Sequence, residues 1–325
     1  MTKRMRRRIT AFAAVALSVV TLAACGQVEE ESAPAGATID TMFGSVTAPE
    51  QPKRVIALGW SDAEAALALG VQPIAASDWL AFGGEGVGPW AAGRYTTPPQ
   101  ILGTTELSYE QISGLNPDLI LNTRSDASKE KNDELSKIAP TIGPPEGVVS
   151  YGTTWRQQME MVSSALGKPD EGARLIGEVD AKIAGTKAAN PQFAGKTVGV
   201  GAYYADKYGG YVRGDSRVDL MESLGFVNKP EIQALSNGNF YADLSREQIE
   251  LLSADLTVVF PIGGDPAALR SDQVLNQIPS AKAGNLLLLE DETLLSAFSS
   301  ASTLGTLWAI DNATPLFAKT LAPAA

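Results

Sequence analysis

Two segments of this chain repeat one another. Residues 107–122 (LSYEQISGLNPDLILN) and 244–259 (LSREQIELLSADLTVV) are identical at eight of sixteen positions. Each copy opens with Ser and, three residues on, Gln: Ser108 with Gln111, and Ser245 with Gln248. This is the capping-box pattern, in which the two side chains satisfy backbone donors that a helix start leaves orphaned. Each copy then runs into a short apolar stretch, 119–122 and 256–260, bounded by polar residues and of strand length. Helix then strand, twice, implies two related α/β lobes.

The remaining pattern obeys the same grammar. A strand is expected over 55–58, a helix over 62–69 stopped by Gly70, and the next strand over 71–75. Helices follow over 154–166 and 170–189, separated by Gly167-Lys168-Pro169 and ended by Asn190-Pro191. In the second of these, Ala173, Ile176, Val179, Ile183 and Lys187 recur at helical spacing and mark one face. Beyond it lie a strand over 197–204, a helix over 218–224, a strand over 286–289 and a final helix over about 302–318. About three hundred residues exceed what one hydrophobic core usually holds. The expected fold is two Rossmann-like α/β lobes, 38–153 and 191–325, bridged by a helical segment over 154–190.

The N-terminus constrains location. Five basic residues (Lys3, Arg4, Arg6, Arg7, Arg8) precede an uncharged apolar run over 9–20 and then Leu22-Ala23-Ala24-Cys25. A run this short reads as a signal peptide, 1–24, rather than a permanent membrane span. Its last four residues resemble the bacterial lipobox, which implies that the Cys25 thiol is acylated and becomes the first residue of the mature chain. Cys25 is the only cysteine, so no intramolecular disulfide can form. Residues 25–37 then read as the lipidated cysteine and a flexible tether, since GQVEEESAPAGA is acidic, rich in Ser, Pro and Gly, and without apolar period. The expected location is the outer face of the cytoplasmic membrane.

Charge and composition exclude several functions. Loss of the signal segment would remove five of 26 basic residues and leave 21 against 37 acidic ones, a formal charge of −16. Nucleic acid is an unsuitable partner for such a surface. The chain contains no histidine, so neither a His-ligated metal site nor a Ser-His or Cys-His catalytic pair can be built. Arg213-Gly214-Asp215-Ser216 contains the Gly-Asp-Ser of one esterase group, but such a serine needs a histidine to take its proton; its Arg-Gly-Asp is read as chance. The glycines over 83–88 lack the Lys of a phosphate loop and read as a surface connection. No enzyme activity is expected.

With these features in place, the chain resembles the substrate-binding lipoproteins of ferric-siderophore and cobalamin ABC importers. The carriers are PKRVIAL over 52–58, LNPDLIL over 115–121, LSKIAPT over 135–141 and MESLGF over 221–226, in that order behind the lipobox. The siderophore branch fits better than the cobalamin branch. The resemblance implies a monomer with a shallow ligand cleft between lobes held by a long helix. It implies capture of a ferric siderophore, with the iron held by the chelator and no metal bound directly, and delivery to a membrane permease. Cobalamin, haem or directly bound iron as the ligand, and a non-transport surface lipoprotein, remain alternatives. The missing histidine departs from family members that use one to complete an iron coordination sphere.

Ligands of α/β sheets bind beyond the carboxyl ends of the strands. That rule selects Trp60, Trp79 and Arg124 on the first lobe and Tyr203 and Tyr204 on the second. Loop segments add Arg94 with Tyr95, and Tyr208, Tyr211 and Arg213, while Phe240, Tyr241 and Phe298 flank second-lobe strands. Aromatic faces and guanidinium forks suit the flat surfaces and negative oxygens of a ferric catecholate or hydroxamate. The repeat also places one glutamate, Glu110 and Glu247, in the first turn of each capped helix, about 200° round the axis from the apolar Ile112 or Ile249. In the resembled family, glutamates at these motif positions dock onto the permease.

Overall fold

The computed structural model describes residues 35–322, Thr105 excepted. The expected signal peptide, Cys25 and most of the tether lie outside the described residues. Strands β1 (Ala35–Thr41) and β2 (Gly44–Pro49) form an antiparallel hairpin. Residues 35–37, expected to belong to the tether, are therefore strand. Ile39 and Ala48 of the hairpin join the core formed with Met159 and Val162 of helix Trp155–Ala165.

The first lobe is a five-stranded parallel sheet: β3 (Val55–Ala57), β4 (Ala75–Ser77), β5 (Gln100–Leu102), β6 (Leu119–Leu121) and β7 (Thr141–Ile142), in spatial order β5-β4-β3-β6-β7. Val55, Ile56, Leu119, Ile120 and Leu121 are at most 1% exposed, as central strands covered on both faces require. The strand expected over 71–75 begins only at Ala75. Val71 N–H is still bonded to the Ala66 carbonyl of the preceding helix, and Pro73 has no N–H to give a ladder. Strand order reverses between β3 and β6, the place where such sheets open a crevice.

The second lobe carries β8 (Thr197–Tyr204), β9 (Lys207–Tyr211), β10 (Val227–Asn228), β11 (Tyr241–Leu244), β12 (Leu256–Pro261) and β13 (Leu286–Leu288), with the path β11-β9-β8-β12-β13. Strands β8, β12 and β13 are parallel, and β10 pairs parallel with the start of β8. Strands β9 and β11 extend this sheet antiparallel, an addition the sequence pattern did not announce. The β8–β9 turn is tight, with Ala205 and Asp206 both left-handed (φ 47° and 61°), the geometry that matches the twist of a two-residue hairpin.

The repeat explains how each lobe is started. Gln111 N–H donates to Ser108 Oγ (3.2 Å), and Ser245 N–H donates to Gln248 Oε1 (3.0 Å). The first copy then forms helix Tyr109–Gly114, whereas the second tightens to a 3₁₀ helix, Arg246–Leu252. Ile112, Ile249 and Leu252 are buried; Glu110 and Glu247 are exposed. The aspartate shared by the two copies has one task in both. The Asp118 carboxylate accepts the N–H groups of Lys53 (2.6 Å) and Arg54 (2.9 Å) at the approach to β3, and that of Asp255 accepts Thr197 N–H (2.8 Å) at the start of β8.

Helix Pro169–Ala189 runs between the sheets. Proline at its start, Asp170 and Glu171 in its first turn and Lys187 in its last suit the helix geometry and dipole. Its buried face is Gly172, Leu175, Ile176 and Val179, a shift from the expected stripe, since Ala173 and Lys187 are exposed. Leu175 and Ile176 belong to the first-lobe core, while Ile183 packs against the second-lobe core. One helix is thus anchored in both hydrophobic masses. Two of its glycines should respond oppositely to alanine. A Cβ on Gly172 would lie 2.2 Å from Ser163 Oγ, whereas a Cβ on Gly177 meets nothing within 4 Å. Gly177→Ala is expected to raise stability by about 0.5–1 kcal/mol, and Gly172→Ala to lower it by about 1–3 kcal/mol through overpacking, read as shifts in the urea midpoint.

Candidate functional site

The crevice at the β3–β6 switch is built by residues immediately beyond those strands. Leu58 N–H and Gly59 N–H reach the Leu121 carbonyl (2.8 and 3.3 Å), and Trp60 N–H reaches that of Arg124 (2.9 Å). Only glycine fits at 59, because a Cβ there would stand 2.3 Å from Asp62 Oδ2 and 2.9 Å from Arg124 N. The chain then turns through left-handed Ser61 (φ 63°). Three rings stack in a row: Trp79 on Trp60 (centroids 4.2 Å, 9° between planes), and Trp60 on Tyr151 (4.0 Å, 22°).

Arg124 lies beside this stack, with its guanidinium carbon 5.8 Å from the Trp60 ring centre and 5.7 Å from that of Trp79. It is 5% exposed. Its Nε donates to the Tyr151 carbonyl (2.9 Å) and its Nη1 to the Ser300 carbonyl (2.8 Å). Burial pushes its pKa down to about 10, which still leaves it charged at neutral pH.

The opposing wall comes from the second lobe. Asp215 caps helix Ser216–Ser223 by accepting Arg217 N–H (2.9 Å) and also holds the Arg217 guanidinium at both oxygens (2.8 and 2.6 Å). The guanidinium lies 3.9 Å over the Tyr211 ring. Burial works against its charge, but Asp215 and Tyr211 outweigh that and raise its pKa. Phe240 and Ser299 complete the lining of the cleft between these walls. Arg124 stands on one wall and Arg217, paired with Asp215, on the other, so the lining holds two guanidiniums and one carboxylate.

Of the residues selected from sequence, the structure brings Trp60, Trp79, Arg124 and Phe240 to this cleft. The others stand elsewhere. Tyr95 (7% exposed) packs with Leu67 and Ala91, Tyr208 (1%) with Ile249 and Leu252, and Phe298 (2%) with Phe317, so all three are core. Tyr208 and Tyr211 lie in β9, not in a loop, and Tyr211 sits beneath Arg217 rather than on the cleft wall. Tyr203 bonds Asp206 (2.7 Å), and Arg213 is spent on an ion pair with Glu222 (2.8 Å). Arg94, Tyr204 and Tyr241 are exposed outside the cleft lining. Sequence reasoning missed Tyr151, Asp215, Arg217 and Ser299. Asp215 could have been found as a helix cap; Tyr151 follows no strand and left no signal.

Among the described residues no group of three or more His, Cys, Asp or Glu could hold a metal ion, and no helix is long and apolar enough to cross a membrane. Residues 55–293 match the periplasmic binding protein family. The chain belongs to that family. This periplasmic binding protein is 26% identical over 320 residues to a probable siderophore-binding lipoprotein of Bacillus subtilis, covering 88% of this chain and 92% of the relative. It is 28% identical over 224 residues to an Fe(3+)-citrate-binding protein of the same organism, covering 66% and 65%. Among solved structures, the Streptococcus pneumoniae protein PiaA in complex with ferrichrome superposes with a TM-score of 0.76 at 28% identity, covering 87% of this chain and 98% of that one. A periplasmic solute binding protein of Mycobacterium smegmatis gives 0.77 at 26%, covering 88% and 99%. The two-lobed architecture expected from the sequence is therefore the architecture of this binding protein.

Two carboxyls lie behind the cleft in the first turn of helix Asp62–Ala68. Asp62 accepts from Thr123 N–H (2.9 Å), Thr123 Oγ1 and Gln158 Nε2 (2.8 Å), yet burial pushes its pKa up to about 6. A folded pKa above the unfolded value of about 3.9 means that the folded state binds the proton more tightly. This stabilisation is complete below about pH 4 and is lost as pH rises through about 6. Urea unfolding of the native protein and of Asp62→Asn is expected to show their stability difference moving in favour of the native protein by about 2 kcal/mol between pH 7 and pH 4. A difference that stays constant over this range contradicts the assignment.

Proposed function

We propose that this protein captures a ferric siderophore in the cleft between Trp60 and Arg217 and delivers it to the permease of an ABC importer. The observation that carries this reading is that Arg124, beside stacked aromatic rings, and Arg217, paired with Asp215, line one cleft. Such a site attracts the negative oxygens of an iron chelate and offers flat apolar surface to its organic part. The siderophore and ferric-citrate relatives, and the ferrichrome complex of PiaA, point to the same ligand class.

In this reading Cys25 carries the lipid that holds the protein at the outer face of the membrane, and the protein acts as a receptor without catalytic activity. Glu110 and Glu247, exposed at matching places on the two lobes, straddle the permease. Mature protein titrated with ferrichrome, ferric enterobactin and ferric citrate is expected to show saturable quenching of tryptophan fluorescence by at least one, and none by the iron-free forms. Arg124→Gln is expected to weaken that binding by about 1.5–3 kcal/mol, with some loss of melting temperature because the same guanidinium holds two backbone carbonyls. Glu110→Lys with Glu247→Lys should bind normally yet fail to stimulate ATP hydrolysis by the reconstituted importer, and Cys25→Ala should leave the membrane fraction. No quenching by any ferric chelate overturns the ligand assignment; normal transport by the charge-reversed pair overturns the docking assignment; retention of Cys25→Ala overturns the anchor.

A further inference from the structure

The residue at the turn between Trp60 and the helix Asp62–Ala68 bears two costs there. Ser61 stands at φ 63°, a region that glycine enters freely and that other residues hold only under constraint from their surroundings. It is also the N-cap of that helix, where a serine hydroxyl ordinarily accepts a first-turn N–H and stabilises the helix. Ser61 makes no such bond. Its hydroxyl is turned away instead: Oγ donates to the Ser300 carbonyl at 2.6 Å and accepts the Trp79 indole N–H at 3.3 Å.

Both bonds lead to the cleft. Trp79 lines it, and the Ser300 carbonyl also accepts Arg124 Nη1 at 2.8 Å. Ser61 itself is 5% exposed and is absent from the cleft lining. We propose that Ser61 is a positioning residue for ligand capture: its hydroxyl fixes the Trp79 ring and the carbonyl that orients Arg124, and so raises affinity without touching the ligand. This rests on the siderophore reading above and adds to it a residue behind the cleft on which affinity depends.

The stack needs such a hold. Stacking of Trp79 on Trp60 (4.2 Å, 9°) fixes the spacing of the two rings but has little grip on sliding within their planes. Trp60 Nε1 has no hydrogen-bond partner among the described residues, so the Trp79–Ser61 bond is the one indole hydrogen bond in the pair. The carbonyl at the other end is itself well placed. Helix Glu292–Ser300 ends there in a left-handed Ala301 (φ 49°), and Ser300 Oγ donates back to the Ala297 carbonyl at 3.0 Å. A carbonyl oxygen has two lone pairs, so Ser61 and Arg124 share it without competing. A ring and a guanidinium set in place beforehand lose less freedom when a ligand arrives.

The test separates affinity from stability. Ser61→Ala removes the hydroxyl and keeps the strained backbone; Ser61→Gly removes the hydroxyl and relieves the strain. Ser61→Gly is expected to melt above Ser61→Ala, yet both are expected to bind about fivefold more weakly than the native protein, the loss of one hydrogen bond. Binding is read by tryptophan quenching with ferrichrome, ferric enterobactin or ferric citrate, whichever the native protein binds. In the ligand-free protein, the Trp79 indole N–H resonance, assigned by its loss in Trp79→Phe, is expected to move upfield and exchange faster with water in both variants. Native affinity in either variant, or affinity that follows melting temperature and recovers in Ser61→Gly, overturns the positioning role. An unmoved Trp79 resonance overturns the hold on the ring. Native protein that binds none of the three chelates overturns the siderophore reading, while the indole resonance still decides whether Ser61 holds Trp79.

Discussion

One backbone carbonyl, that of Ser300, ties the two halves of the molecule at the floor of the cleft. It accepts Ser61 Oγ at 2.6 Å and Arg124 Nη1 at 2.8 Å, both from the far lobe in sequence. The geometry around it is exacting: Ser61 and Ala301 are both left-handed, with φ of 63° and 49°. Two residues on, Ser302 caps the final helix, Thr303–Thr320, and donates to Glu64, whose carboxyl also accepts Trp90 Nε1 at 2.7 Å. Burial pushes the Glu64 pKa upward. A buried charge or carbonyl left without a partner is costly, so these groups hold one another in register, and the cleft inherits their placement.

The same corner accounts for the character of the site. Arg124 is committed through Nε and Nη1 to two carbonyls, which orients its remaining edge and keeps its charge beside Trp60 and Trp79. Arg217 is oriented differently, by a carboxylate that also caps its own helix. Neither guanidinium has to be ordered when a ligand arrives, which removes part of the entropy that binding would otherwise oppose. The surrounding protein is strongly acidic, whereas the cleft lining holds two guanidiniums and one carboxylate. A long helix is rooted in both cores.

Much of this could be read from the chain, for identifiable reasons. The repeat exposed the lobes because the helix start and the strand-pinning aspartate, Asp118 or Asp255, solve the same local problem twice. Trp60 and Arg124 were legible because parallel strands open at their carboxyl ends, and both residues stand there. Tyr208 and Phe298 were misplaced because an aromatic near a strand looks the same in sequence whether it faces a core or a cleft. Tyr151 and Arg217 escaped because a loop and a helix cap place them, and neither has a period to betray it. The antiparallel addition of β9 and β11 was hidden in a glycine- and tyrosine-rich stretch that read as loop.

The resting place of the iron atom decides between a chelate held in the cleft and any other mode of capture. A crystal of the mature protein grown with its ferric siderophore, measured at the iron absorption edge, locates that atom without reference to any fitted ligand. The expected result is one anomalous peak between the Trp60–Arg124 wall and the Asp215–Phe240 wall, without protein side chains in its coordination sphere. A peak outside that gap, or one coordinated directly by protein oxygens, would contradict the account.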